Sequence, residues 1–139
     1  MQFRRRRTRP LSAVLSAPIG CGIDVVELNR FQKAARRGGS AFMRRVFTKK
    51  EEAYAKARKR TLWLHLAGRF AAKEAVIKAI AQVYPKRRLS MNQVEICNDR
   101  LGRPSIVLHD GRKPSLAIAI SLSHVASVAV ANAIVIKNS

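Results

Sequence analysis

The chain reads as an α+β domain, on three observations: helical periodicity fills most of its first half, strand alternation fills the part beyond Ser90, and the longest helix stands at the border between them. At 139 residues there is chain enough for one hydrophobic core and too little for two ordinary domains. The first 18 residues hold Arg4, Arg5, Arg6, Arg7 and Arg9 and no acid, so residues 1–18 are expected to be a basic, disordered tail. An organelle-targeting or twin-arginine signal is the alternative there. The folded domain is expected over residues 19–139.

The first strand is read from Ile19, Cys21, Ile23 and Val25 alternating with Gly20, Gly22, Asp24 and Val26. The two glycines strip one face of bulk, so another backbone can come close beside the Asp24 carboxylate; the plainer reading is a glycine-rich strand start with a solvated Asp. An amphipathic helix is predicted from Glu27 to Arg37, stopped at Gly38-Gly39, and Ser40 can cap a short helix through Val46. Thr48-Lys49-Lys50-Glu51 has the form of a capping box opening a third helix. The longest helix is predicted from about Thr61 to Gln82, because Trp63, Leu66, Phe70, Ile77 and Ile80 recur at helical intervals, and Pro85 stops it. Phe70, Glu74 and Lys78 share one of its faces; a plain surface ion pair between Glu74 and Lys78 is the simpler account of two of them.

Strands are predicted at Met91–Cys97 and Ser105–His109 around a turn at residues 98–104, and again on either side of a short connection after His124. Leu116, Ile118, Ile120, Leu122 and His124 alternate with Ala117, Ala119, Ser121 and Ser123; Val128, Val130, Asn132, Ile134 and Ile136 alternate with Ala129, Ala131 and Ala133. The expectation is an antiparallel pair, large on one face and small on the other, whose small face admits a close second layer.

Lys and Arg number 28 against 8 Asp and Glu, a formal charge of +20, which points to an anionic partner without naming it. Cys21 and Cys97 lack metal-ligand spacing and offer no disulfide framework, which fits a reducing cytoplasm. No apolar run has the ~18 residues of a bilayer span, so no membrane partner is expected. Walker loop, dinucleotide fingerprint and nucleophile elbow are all missing. Among so few acids, Asp24 and Glu74 are the metal candidates: a magnesium ion takes one or two carboxylates and completes its shell with water and substrate phosphate. Lys73 and Lys78 can neutralise phosphate oxygens. His65 reads as a partly exposed filler on its helix, His109 lies at a strand end, and His124 ends a strand either as a satisfied histidine or as part of a site.

Five blocks of residues, in order, resemble the holo-acyl-carrier-protein synthase family: Gly20-Cys21-Gly22-Ile23-Asp24-Val25-Val26-Glu27; Arg45-Val46-Phe47-Thr48 with Glu51; Leu66 through Ala79, which contains Gly68-Arg69-Phe70-Ala71-Ala72-Lys73-Glu74; the turn Gly102-Arg103-Pro104; and Ser121-Leu122-Ser123-His124. The resemblance runs from Gly20 to the C-terminus. It implies the α+β fold of 4'-phosphopantetheinyl transferases, an antiparallel sheet packed with a long helix, working as a homotrimer with active sites between protomers. It implies that phosphopantetheine moves from coenzyme A to a serine of an apo-acyl-carrier protein, with Asp24 and Glu74 holding Mg²⁺ and Lys78 stabilising phosphate charge. Coenzyme A is expected at Arg69, Phe70, Lys73, Lys78, Gly102, Arg103, Pro104 and His124, the last four from the adjacent chain. Carriers of this class are acidic, so Arg30, Arg36, Arg37, Arg44 and Arg45, with Phe42 and Met43 as an apolar centre, are the expected docking surface. Three departures from the family pattern stand out: the arginine-rich start, Arg103 where Lys is usual, and Tyr84-Pro85-Lys86-Arg87-Arg88 where glycines are usual. The rival reading is a basic nucleic-acid-binding protein; the lack of any such module and an aromatic content of 6% argue against it.

Overall fold

The computed structural model describes residues 16–112 and 115–138, so the basic segment up to residue 15 lies outside the described residues. Strand β1 (Ile19–Glu27) leads into helix α1 (Leu28–Val46), then α2 (Lys49–Lys56), a 3-10 turn (Lys59–Thr61) and the long α3 (Leu62–Val83). A second 3-10 turn (Met91–Gln93) precedes β2 (Val94–Asn98) and β3 (Pro104–Leu108), and β4 (Leu116–His124) and β5 (Val128–Lys137) close the chain. Two antiparallel sheets result, one ordered β1-β5-β4 and one pairing β2 with β3.

Local chemistry explains most boundaries. Gly39 breaks α1 with φ 56 and ψ −145, the break expected at Gly38-Gly39. At the start of α2 the Glu51 N–H donates to Thr48 Oγ1 at 3.3 Å and the Thr48 N–H donates to Glu51 Oε2 at 2.9 Å, which completes the capping box. The strand expected from Met91 begins only at Val94, because Gln93 Oε1 accepts from the Ser90 N–H at 3.0 Å and winds residues 91–93 into a turn. Likewise the third strand starts at Pro104 and ends at Leu108, one residue earlier than expected at each end.

Helix α3 lies directly on β1 and β5. A Cβ added at Gly22 would stand 2.0 Å from the Ala75 carbonyl oxygen, and one at Gly20 2.1 Å from that of Ala79, so the two glycines let the strand backbone touch the helix backbone. Ala129, Ala131, Ala133 and Val135 of β5 are buried with Ala67, Ala71, Ala75 and Ala79 of the helix. The expected sorting of β4 and β5 into one large and one small face is corrected by the register: Ala119 pairs with Ile134 and Ile120 with Ala133. The large side chains of β4 therefore share a face with the small ones of β5. The helix sits over the small strands, and Ile118, Ile120 and Leu122 pack along its flank.

The opposite face of this sheet is apolar and uncovered. Ile23 and Val25 are 60% and 62% exposed, Ile19 lies on the same face of β1, and Ile134 stands opposite Cys21 on β5. On the far side of α3, Phe31 forms the centre of an aromatic cluster with Phe42, Phe47, Trp63 and Phe70. Among the described residues no helix is long and apolar enough to cross a membrane.

Candidate active site

The sequence pattern that frees β1 to touch α3 also delivers its carboxylate. Gly22 lies against Ala75, the neighbour of Glu74, and Asp24 follows two residues later on the same face. Asp24 Oδ1 accepts from Lys78 Nζ at 2.9 Å, and the same ammonium donates to the Ile23 carbonyl at 3.1 Å. Lys78 thus reaches across to the strand instead of back along its helix to Glu74, one turn earlier. Among the described residues the Glu74 carboxylate has no hydrogen-bond or ion-pair partner. One turn beyond Lys78, Gln82 clasps the free edge of β1 from both sides: its Nε2 donates to the Cys21 carbonyl at 2.7 Å and its Oε1 accepts from the Cys21 N–H at 3.0 Å. This fixes strand and helix in the register that puts Asp24 at Lys78.

Asp24 beside the Lys78 ammonium, with Glu74 one turn earlier on the same helix, offers hard anionic oxygens of the kind a magnesium ion takes when it keeps several waters and draws its remaining ligands from a diphosphate. Among the described residues no group of three or more His, Cys, Asp or Glu converges, so no self-sufficient protein cage for a metal exists there.

A second constellation lies at the other edge of the sheet. A cleft of about 320 Å³ is lined by Tyr54, His65, Gly68, Arg69, Asn98, Gly102, Pro104 and residues 120–124 of β4, including His124. The turn that carries Gly102 is held by its own side chains: Asp99 Oδ1 accepts from the Leu101 and Arg103 N–H groups, both at 2.9 Å, and Asp99 Oδ2 accepts from Arg103 Nε at 2.7 Å. These bonds from Arg103 hold the Asp99 carboxyl below its usual range. Asn98 joins turn to helix, donating to the Gly102 carbonyl at 3.0 Å while its Oδ1 accepts from Arg69 Nη2 at 2.8 Å. Burial, then the neighbouring Arg58 and Arg69, lower the His65 pKa, so this ring is neutral at pH 7 and the arginines carry the positive charge of the cleft.

The remaining expected residues divide. Phe70 lies 5.3 Å from Phe31 and lines, with Arg30 and Phe42, a groove of about 440 Å³ beside Val25 and Glu27, away from the cleft at Gly102. Arg36, Arg37, Arg44 and Arg45 are exposed on α1, and Phe42 and Met43 are half-buried against the core. Lys73 departs from its expected place at the phosphates. It is fully buried, and its ammonium donates to the Glu51 carboxylate, to the Val46 carbonyl at 2.6 Å and to the Met91 carbonyl at 3.1 Å. All three of its protons are thereby used inside the protein, because residue 73 is on the face of α3 that meets α2. Tyr54 and Asn98 belong to the cleft without any sequence signal, and His65, read as a filler, lines it.

A model of the 4'-phosphopantetheinyl transferase superfamily matches residues 20–133, a span holding both constellations. The chain belongs to this family, as a holo-acyl-carrier-protein synthase. A holo-acyl-carrier-protein synthase of Protochlamydia amoebophila is 41% identical over 111 residues, covering 76% of this chain and 89% of that relative. The Bacillus anthracis holo-acyl-carrier-protein synthase, solved in complex with coenzyme A (3',5'-ADP), superposes with a TM-score of 0.72 at 35% identity, covering 89% of this chain and all of that one (100%). A solved ACPS–CoA complex from Chronobacterium ammoniagenes gives a TM-score of 0.73 at 30% identity, over 87% and 98% of the two chains. The Asp24–Lys78 contact and the turn-lined cleft therefore stand on a phosphopantetheinyl transferase fold.

Proposed function

We propose that this enzyme transfers 4'-phosphopantetheine from coenzyme A to a serine hydroxyl of an acidic apo-acyl-carrier protein in a magnesium-dependent reaction. The observation that carries the reading is the Asp24–Lys78 contact at 2.9 Å beside the unpartnered Glu74. Asp24 and Glu74 hold the cation against the diphosphate, and Lys78 adds a positive charge on the same side. When bound, the ion neutralises diphosphate oxygens and so favours attack at phosphorus. The serine Oγ bonds to the β-phosphorus, the bond to the bridging oxygen breaks, and 3',5'-ADP leaves with that electron pair. The serine proton passes to Glu74, directly or through one water, because its carboxylate has no protein partner among the described residues and keeps a second oxygen open when the other would hold the cation.

The reaction centre is built between protomers. Asp24 is on β1 and His124 on β4, at opposite edges of the three-stranded sheet, ~10 Å apart by strand spacing. Helix α3 stands between them, with Arg69 and Glu74 turned about 140° from each other around its axis. A neighbouring copy can bring its β4 edge to the β1 edge of this chain, and the uncovered apolar face around Ile23 and Val25 supplies a surface for that association. A homotrimer meets both needs. Arg30 and Phe42 of the groove beside Phe70, with Arg36, Arg37, Arg44, Arg45 and Met43, then face the acidic carrier. Both cysteines are free, in keeping with a cytoplasmic setting in which the holo carrier serves fatty-acid synthesis.

The test is the mass of an apo carrier incubated with coenzyme A, with and without a chelator. Addition of one phosphopantetheine that needs Mg²⁺ is expected; Glu74→Gln should lower the rate at least about a hundredfold while the protein stays folded. No modification of any apo carrier would remove the reading. Nucleic-acid binding, the rival, has no observation in its favour beyond net charge.

A further inference from the structure

The Tyr54 ring stands between two guanidinium groups at the cleft on the β4 side. Arg58 Cζ lies 3.2 Å from the ring centroid and Arg69 Cζ 3.7 Å. Two groups of that size cannot share one face at such distances, so the ring is sandwiched. His65 meets the ring edge-on, with centroids 5.5 Å apart and planes at 81°.

The two cations are held differently. Arg58 is exposed and donates from Nη1 to the Tyr54 carbonyl at 2.9 Å. Arg69 is 5% exposed; among the described residues its hydrogen-bond partner is Asn98, and its buried Nε has no acceptor. Among the described residues neither arginine is in a salt bridge. Burial disfavours the charge on Arg69. A desolvated cation with spare donor capacity and no carboxylate is organised for an anion that arrives later.

We propose that Tyr54 is a positioning residue for coenzyme A: its ring sets the plane of the Arg69 guanidinium and spaces Arg58 from it, so that the pair meets a phosphate of the nucleotide. This rests on the transferase reading above. A purely structural ring, tying the end of α2 to α3, would change stability and leave the KM for coenzyme A and the affinity for 3',5'-ADP of the folded protein alone.

Steady-state transfer kinetics with coenzyme A and dephospho-coenzyme A, together with calorimetric titration of 3',5'-ADP, separate the two. Tyr54→Leu is expected to raise the coenzyme A KM about tenfold with kcat within about twofold, and to weaken 3',5'-ADP binding in parallel. Tyr54→Phe, which keeps the ring, should recover most of that loss. Arg58→Gln, at an exposed position, should raise KM about threefold and carries the test if Tyr54→Leu does not fold. A KM rise confined to coenzyme A assigns the ribose phosphate, and a rise with both substrates assigns the diphosphate; either supports the inference. Wild-type KM in folded Tyr54→Leu, or in Arg58→Gln where it stands alone, overturns it, as does a Phe variant as damaged as Leu. If the wild-type protein neither binds 3',5'-ADP nor modifies a carrier, the transferase reading fails first and this inference with it.

Discussion

Lys73 and Glu51 show how one residue can belong to the chemistry of folding while looking like the chemistry of a site. The Glu51 carboxylate accepts from the Thr48 N–H at 2.9 Å and from the Ile96 N–H at 2.7 Å, besides the Lys73 ammonium, so α2, α3 and β2 meet at a single buried carboxyl. Burial lowers the Lys73 pKa, and Glu51 opposes that shift. Removing one partner strands the other in the core, which costs about 3–5 kcal/mol. Lys73→Met is therefore expected to lower the unfolding free energy by that amount in denaturant titration, with the coenzyme A KM of whatever folds near wild type. A large KM change at full stability would instead return Lys73 to the phosphates.

At the scale of elements, the contact between β1 and α3 positions Asp24, and it tolerates no side chain at Gly22. Because the neighbour is a backbone carbonyl at 2.0 Å from the added Cβ, nothing can swing aside, and Gly22→Ala should destabilise by about 1–3 kcal/mol and depress activity with it. Thermal melts and transfer rates on the same samples check this. A second element junction titrates. Arg87, in the segment where the family usually has glycines, donates from Nε and Nη2 to Asp110 at 2.7 and 3.0 Å, and both side chains are buried. The hydrogen bond from Arg87 is the largest cause holding the Asp110 carboxyl below its ordinary value. Its folded pKa is depressed, so its stabilising contribution is complete above the unfolded carboxylate value, about 4, and is lost as pH falls through the lower folded value. The melting temperature should thus fall below about pH 4, and Asp110→Asn should be less stable at pH 7 but lose less on acidification. Equal acid sensitivity in the two proteins would exclude the pair as its source.

At the scale of the whole molecule, an apolar sheet face around Ile23 and Val25 is open to water, Asp24 and the turn-lined cleft lie at opposite edges of the sheet, and the proposed association of copies would cover the one and join the others. Ile23→Asp with Val25→Asp places charge on that face without touching α3. Light scattering should then give a monomer, with transfer lost and the far-ultraviolet circular dichroism retained. An unchanged oligomer with full activity would place the interface elsewhere.

The sequence by itself determined the elements and the family, and it singled out Asp24 and Glu74 as the acids to test. Gly38-Gly39, Thr48 through Glu51, Pro85 and the alternation of β4 and β5 act through neighbouring backbone, and such short-range chemistry is readable residue by residue. The late start of β2 was missed, because the strand expected from Met91 took no account of the bond from Ser90 to Gln93. Tertiary structure alone decided which amines are spent and which are free, since Lys73 and Lys78 share one helix but face different neighbours, one a buried glutamate and the other the open edge beside Asp24. It also decided that the large face of β4 joins the small face of β5 and that Tyr54 lies between two arginines. Those outcomes depend on strand register and helix rotation, which arise when distant segments compete for the same contacts, and no local pattern encodes the winner.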